Sequence, residues 1–296
     1  MKYDRTIVWN PVHPDSLNLA NLNVAVVGGT GGIGRALSRF LASRGAQVTV
    51  VGRTFRDADV PGITFVPADL SLMREAARVA EQLPAENLDL LVFTTGIIAA
   101  PQREETAEGI ERDMAVSYLS RLVILRGIAA RLGADRPRNN GKPRVFVMGF
   151  PGSGKAGTYD DLNAEKSYKS MDVHMNTVAG NEILVLDAAQ RYPGIDTFGL
   201  HPGVVKSDIR ANLMGKGSFK HRAMETVIGL VTSSAETYAR RIAPLLVSPD
   251  LTDHSGAMFN NKGRAIQPTD GMNPQHVAGF LRASEQLVAT VKGELR

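Results

Sequence analysis

The sequence predicts an α/β fold, a single Rossmann-type doubly wound parallel sheet flanked by helices, and three observations carry that expectation. Short, wholly apolar runs recur along the chain with helix-periodic segments between them, the pattern of buried parallel strands joined by crossover helices. A glycine-rich turn falls between the first apolar run and the first helical segment. No repeat, low-complexity run or linker breaks the alternation, so one domain is expected over residues 23–296. An irregular arm with Pro11 and Pro14 precedes it over residues 1–22.

Val24–Gly28 is the first strand, because it is apolar throughout, rich in valine and too short for a helix. Ile33, Leu37, Phe40 and Leu41 then repeat at helical spacing. Gln47–Val51 and Ile63–Val66 are the second and third strands. Ser71 is placed to cap a helix running to about Gln82. Leu88–Thr94 is the fourth strand, and one long helix is expected over about Thr106–Leu132, before the turn-prone Asn139-Asn140-Gly141. Val145–Met148 is the fifth strand, followed by a helix from about Asp172 to Arg191 and a strand at Asp196–Leu200. The rest reads as helices near Lys220–Leu230 and Ser234–Leu246, a strand at Ala257–Asn260 and a last helix. Val277, Phe280, Leu281, Leu287 and Val291 form the apolar stripe of that last helix.

Composition excludes several classes of function. The 296 residues are 43% hydrophobic and 22% charged, which rules out global disorder. A net charge of +4 is too small a surplus to argue for nucleic acid. The absence of cysteine removes disulfides, thiolate nucleophiles and iron–sulfur clusters, and suits a reducing cytoplasm. Six scattered histidines lack metal-ligand spacing, so no metal is expected. No targeting segment and no membrane span are read, the most apolar stretch, Leu90 to Ala100, being short and interrupted by Thr94, Thr95 and Gly96. The expected partner is a small molecule, and self-association into a homo-oligomer stays open.

The strongest local signal is Gly28-Gly29-Thr30-Gly31-Gly32-Ile33-Gly34, lying between a strand and a helix. Glycine permits a tight turn and close approach to a pyrophosphate, and the helix N-terminus beyond offers unpaired N–H groups to it. An NAD-preferring site carries an acid about 20 residues on, to hold the ribose hydroxyls. Here the second strand ends Val50-Val51-Gly52-Arg53 without one. Arg53 is instead placed to pair with a 2′-phosphate, with Arg35 as a helper, so NADP(H) is favoured over NAD(H).

With these pieces in place, the chain resembles the short-chain dehydrogenase/reductase family, and within it the retinol-dehydrogenase-like members, over about residues 22 to 292. The glycine turn is similar to that family's TGxxxGxG, with Val27 at the threonine place and Gly28, Gly32 and Gly34 in register; Thr30 and Ile33 complete the turn. Asp69-Leu70 resembles the adenine-contacting pair, and Thr95-Gly96 closes the place of the family's NNAG segment. His201-Pro202-Gly203-Val204-Val205-Lys206-Ser207 resembles PGxxxT, which implies cofactor contacts from Pro202, Gly203, Val205 and Ser207.

The catalytic half of the resemblance departs. The family uses Asn, Ser, Tyr and Lys, the last two as YxxxK. Counting back from Asn181 in the YxxSKxAN pattern puts His174 at the tyrosine and Val178 at the lysine. Sliding the register to Tyr168 fails, since Asp172 then falls at the lysine. Ser117 takes the asparagine place, and Gly149 or Phe150 the serine place. A histidine ionises near pH 6.5 and can donate a proton near neutrality without a lysine, so His174 is the candidate acid or base. It can equally be a helix histidine bonded to backbone or substrate without proton transfer. Arg121, one turn beyond Ser117, can polarise an oxygen or hold a carboxylate, with an exposed surface arginine as the plainer alternative. Asp172 reads as a helix-end charge.

Gly149-Phe150-Pro151-Gly152-Ser153-Gly154-Lys155-Ala156 nearly spells a triphosphate-binding loop. It ends in alanine where a hydroxyl must hold magnesium, and no helix signal follows, so it reads as the floor of a substrate pocket. Lys206 to Arg222, basic and hinged by Gly215 and Gly217, reads as a lid. The expectation is an atypical NADPH-dependent oxidoreductase acting on a small organic carbonyl or imine. A non-redox isomerase or cyclase on the same fold, or a cofactor-sensing protein without catalysis, are the alternatives.

Overall fold

The computed structural model describes residues 1–137, 141–203 and 234–294. Over them the chain forms β1 (Asn23–Val27), α1 (Gly32–Ser43), β2 (Gln47–Gly52), β3 (Ile63–Pro67), α2 (Met73–Gln82) and β4 (Leu90–Phe93). Helix α3 follows in three consecutive segments, Arg112–Met114, Ala115–Leu119 and Ser120–Ile128. Then come β5 (Arg144–Met148), α4 (Ser170–Arg191), β6 (Asp196–Leu200), α5 (Ala235–Leu246), β7 (Met258–Phe259), β8 (Ala265–Ile266) and α6 (Pro274–Glu294). The helix expected near 220–230, the basic segment 206–222, Val205 and Ser207 lie outside the described residues.

The strands form one sheet in the order β3-β2-β1-β4-β5-β6-β7-β8, parallel except for the β7–β8 pair. The chain winds outward from β1 through β2 to β3, then returns to β4 on the other side of β1. Loops leaving β1 and β4 therefore part company, which opens a crevice at their carboxyl ends. Val27 is level with both Val51 and Phe93, so three strands end together under that crevice.

Alternation along each strand sends neighbouring residues to opposite faces. Val24, Val26, Val48, Val50, Phe146 and Phe198 pack against α1 and α5 on one side. Ala25, Val27, Leu91, Phe93, Val145 and Val147 pack against α2, α3, α4 and α6 on the other. With both faces covered, β1, β4 and β5 are apolar at every position after the first, as the short apolar runs require.

Four local expectations are corrected. Ser71 does not cap α2; Leu72 is the N-cap residue and supplies no side-chain bond. The Glu108 carboxylate, from a distant turn, accepts the Met73 and Arg74 backbone N–H groups instead. The long helix begins at Arg112 rather than near Thr106, because Gly109 turns at φ +71° and Glu111 caps the helix by accepting the Met114 N–H at 2.7 Å. It ends at Ile128, and residues 115–119 are wound as a π-helix. The short strand β8 has no counterpart in the sequence reading. The N-terminal arm pairs along it, with Asp4 N–H donating to Ala265 at 3.0 Å, Gln267 N–H to Lys2 at 2.9 Å and Trp9 Nε1–H to Gly263 at 2.6 Å. This contact covers a sheet edge that would otherwise be open.

Helices α3 and α4 meet through Gly180, where an added Cβ would lie 2.8 Å from the ring of the fully buried Tyr118. The Tyr118 hydroxyl donates to Ser284 at 3.0 Å, which ties α6 to the same pair. Gly180→Ala is therefore expected to destabilise the fold by about 1–3 kcal/mol through overpacking. Denaturant unfolding checks it; an unshifted midpoint would show that the ring yields at no cost.

Candidate functional site

The turn after β1 is built for close backbone approach. Gly28 adopts φ +91°, and a Cβ there would sit 2.6 Å from the Thr95 backbone nitrogen. A Cβ on Gly34 would strike the Gly28 carbonyl and Thr94 Oγ1. Any side chain at either place would push β1 and β4 apart. Gly31, by contrast, has nothing within 4 Å of where its Cβ would be, and as N-cap of α1 it gives no side-chain bond. The result is an open cradle with uncapped helix N–H groups at its floor, the arrangement that fits a pyrophosphate. Thr30 stands against Gly52 at the end of β2, and Ile33 is half-buried.

The other expected cofactor residues line the same carboxyl edge. Arg53, beyond β2, is exposed and makes no ion pair among the described residues. Arg35 is engaged elsewhere: it forms a two-point bond with the buried Asp57 at 2.8 and 2.7 Å, and Arg39 joins at 2.6 Å. These guanidinium groups hold the Asp57 carboxyl below the usual carboxylate range. Asp69 is exposed after β3 and Leu70 buried beneath it. Thr95 and Gly96 follow β4, and the buried Thr95 Oγ1 has no hydrogen-bond partner among the described residues. Pro202 and Gly203 follow β6, half-buried.

His174 and Ser117, both singled out from the sequence, are brought together by a residue that was not. Asp113 lies one turn before Ser117 on α3 and is fully buried. Its Oδ2 takes His174 Nδ1 at 2.8 Å and the Ala99 backbone N–H at 3.1 Å, and its Oδ1 accepts the Ser117 hydroxyl at 2.5 Å. Ser117 Oγ in turn accepts the Ile97 N–H at 3.0 Å. The serine hydroxyl is thus used on both sides, whereas the His174 side chain keeps 24% exposure.

Arg121 is not an exposed arginine, as the plainer sequence reading had it, but is 3% exposed. Its Nη1 donates to Met148 O and to Asn181 Oδ1, the latter at 2.9 Å, and its Nη2 donates to Thr95 O. Burial pushes its pKa down to about 9, which still leaves a cation at neutral pH. Asn181 also donates to the carbonyls of Ser117 and Thr177 at 2.9 and 2.8 Å. The Ser117 carbonyl lies inside the π-wound segment. Gly149 faces Asn181, and a Cβ there would lie 3.2 Å from the asparagine Cβ. A serine at 149 would press on that bracing residue.

The glycine-rich loop after β5 is not a phosphate cradle, since its amides are taken. Gly152 N–H donates to Glu182 at 3.2 Å and Gly154 N–H to Thr269 at 3.3 Å.

Comparison with known proteins agrees with this architecture. A family model described as short chain dehydrogenase matches residues 22–140. An uncharacterised oxidoreductase of Saccharomyces cerevisiae is 50% identical over 291 residues, covering 97% of this chain and 94% of that protein. The chain belongs to the short-chain dehydrogenase/reductase family. More distantly, retinol dehydrogenase 12 of Homo sapiens is 26% identical over 204 residues, 63% of this chain and 62% of that protein. Among solved structures, an uncharacterised protein from Mycobacterium paratuberculosis shares the fold with a TM-score of 0.68 at 19% identity, over 95% of this chain and 98% of that one. As a member of this family the protein is an oxidoreductase of nicotinamide-cofactor type, acting on a small molecule. Among the described residues no helix is long and apolar enough to cross a membrane.

Asp113 is the site residue that sequence reasoning missed. The signal that marks it is the i, i+4, i+8 stripe of Asp113, Ser117 and Arg121 on one face of α3. His201 is a second buried polar group on this edge of the oxidoreductase. Its Nδ1 accepts the Gly203 N–H at 2.7 Å and its ring meets Phe150 at 4.0 Å between centroids. Burial lowers its pKa from 6.5 to about 4. A depressed histidine contributes stability that is present above pH 6.5 and lost as pH falls through about 4. The loss between those limits is at most ~3 kcal/mol. His201→Asn keeps an acceptor for Gly203 without the titration, so its stability should fall less steeply than wild type over that window. Parallel pH-dependent slopes in denaturant titrations would refute this.

Proposed function

We propose that this short-chain dehydrogenase/reductase is an atypical NADPH-dependent oxidoreductase that reduces a small organic carbonyl or imine, with His174 as its proton donor. The observation that carries the proposal is a partly exposed imidazole, at the tyrosine place of the family pattern, hydrogen-bonded to a buried carboxylate. When bound, the reduced nicotinamide supplies the hydride that adds to the electrophilic carbon. Gly28, Thr30, Gly31, Gly32, Ile33 and Gly34 would hold its pyrophosphate at the uncapped start of α1. Asp69 and Leu70 would flank the adenine; Thr95, Gly96, Pro202 and Gly203 would hold the nicotinamide half, joined by Val205 and Ser207. The reading treats residues 23–296 as one dinucleotide-binding unit and residues 1–22 as an arm docked on its edge strand.

A carbonyl oxygen gains charge as its carbon receives hydride, and a proton donor within hydrogen-bond reach relieves that charge. In the family pattern a tyrosine does this with help from a lysine. Val178 cannot give that help, and His174 does not need it, because an imidazolium is acidic near neutrality. Ser117 spends its donor on Asp113, and Arg121 directs three N–H groups to protein oxygens while its buried Nε has no partner among the described residues, so in this reading both position the site.

Cofactor choice falls to Arg53, since Arg35 is committed to Asp57. Arg53→Ala is expected to weaken NADPH binding about 10–100-fold, the worth of a charge-assisted hydrogen bond, while NADH affinity changes little. Calorimetric titration of both dinucleotides measures this; equal losses for the two, or none, would reject the 2′-phosphate role.

For the chemistry, His174→Ala should lower kcat by about 10²–10⁴ with NADPH affinity nearly unchanged. His174→Tyr should not restore it, because a phenol of pKa about 10 is a poor acid near neutrality without a lysine. NADPH oxidation against a panel of aldehydes, ketones and cyclic imines provides the readout. An alanine variant with full turnover would remove His174 from the reaction.

A further inference from the structure

We infer that Asp113 is a positioning residue for His174: it fixes the ring and its tautomer and holds the positive charge that makes the ring an acid. The inference rests on the proton-donor reading of His174. Three groups converge on the Asp113 carboxylate, and two are donors by necessity or geometry. The Ala99 backbone N–H can only donate. Ser117 Oγ accepts from Ile97 N–H, so its own hydrogen is directed to Asp113 Oδ1. Two donors already aimed at the carboxyl favour its ionised, acceptor-only form. The third neighbour, His174 Nδ1 at 2.8 Å, must then carry a hydrogen toward it.

Two consequences follow for the proton. In the neutral ring Nδ1 is the protonated nitrogen and Nε2 the bare one, so Nε2 is the atom that exchanges protons with substrate. In the protonated ring the cation lies directly against the fully buried Asp113 carboxylate. On reduction the Nε2–H bond breaks and an O–H bond forms at the substrate oxygen. The ring is left neutral with Nδ1–H still on Asp113, and the next proton comes from solvent at its exposed side. In the reverse direction bare Nε2 takes the alcohol proton. Asp113 keeps its charge throughout and never touches substrate.

The groups facing the pair are few. Ser117 and Ala99 have been described; Arg121, on the same helix, attracts Asp113, while Glu111 and Tyr168 also feel the Asp113 charge. Asp113 also pins the chain after β4, through Ala99 directly and through Ile97 by way of Ser117. A purely structural role would end there, and the test is chosen to separate the two.

The first measurement uses the unaltered protein. Nitrogen-15 NMR of the imidazole, assigned by the signals missing in His174→Ala, should show the Nδ1–H tautomer above neutral pH. The Nε2–H tautomer would overturn the inference without reference to turnover. The second measurement is Asp113→Asn, which retains an acceptor for His174 and Ala99 and a donor toward Ser117 but removes the charge. With 4-nitrobenzaldehyde as the carbonyl probe, the alkaline limb of kcat/KM should move to lower pH by about one unit. At pH 7 kcat should fall about 10–100-fold, with unchanged NADPH affinity. A profile superimposable on wild type would overturn the inference. In the double variant Asp113→Asn, His174→Ala the effects should be far from additive; additive losses mean that Asp113 acts apart from His174. If His174→Ala alone retains full turnover, the proton-donor reading itself has failed, and the tautomer result then stands as a structural fact only.

Discussion

The carboxyl edge of the sheet depends on one buried cation. Arg121 reaches from α3 to the ends of β4 and β5 and to Asn181 on α4, and removing a charge from water in this way costs several kcal/mol before its partners offset it. The partners are fixed carbonyl and amide oxygens, with the negative charge of Asp113 adding attraction. Because those oxygens belong to three separate elements, the guanidinium ties the carboxyl ends of β4 and β5 to the middle of α4. Asn181, held by Arg121, holds the Ser117 carbonyl, which lies in the π-wound turn. The same turn presents Ser117 Oγ and Asp113 to the loop after β4 and to His174. Hydrophobic burial makes the sheet, and this polar network decides what its edge looks like.

What was legible in the sequence follows from how far apart the cooperating residues lie. The strands and the glycine turn are local signals: a run of valines and a spacing of glycines carry their own physics, and both are where the pattern put them. The α2 cap was misread because Ser71 is the right residue type in the right place, yet Glu108, 35 residues on, competes for the same N–H groups and wins. The start of α3 was misread for a related reason, since its cap, Glu111, lies inside an apparently continuous helical pattern. Asp113 escaped notice because its partner is 61 positions away and an aspartate on a helix is unremarkable alone. Arg121 was visible, but no local feature tells a buried arginine from an exposed one.

The family pattern and the structure together explain why several departures occur at once. Gly149 or Phe150 stands where the family pattern has a serine, and Asn181, which braces Arg121, occupies the space that a Cβ at 149 would press. Ser117 stands where an asparagine is usual, and its short side chain is the one that reaches Asp113 and Ile97 together. These substitutions read as one change with several parts, since each makes room for the Arg121–Asn181–Ser117–Asp113 chain.

The loss of the lysine is the last part of that change, and electrostatics accounts for its sign. A tyrosine must be made more acidic to donate a proton, so a nearby cation helps it. A histidine donates from its cationic form, so a nearby cation hinders it by disfavouring the protonated ring. Position 178 lies one turn from His174 on α4, close enough for an ammonium there to act on the imidazole. Valine at that place brings no repulsion to the proposed donor, and the buried Asp113 carboxylate lies at its Nδ1. On this argument a lysine at 178 belongs with a tyrosine at 174, and a valine with a histidine, so that the pair of positions changes in concert.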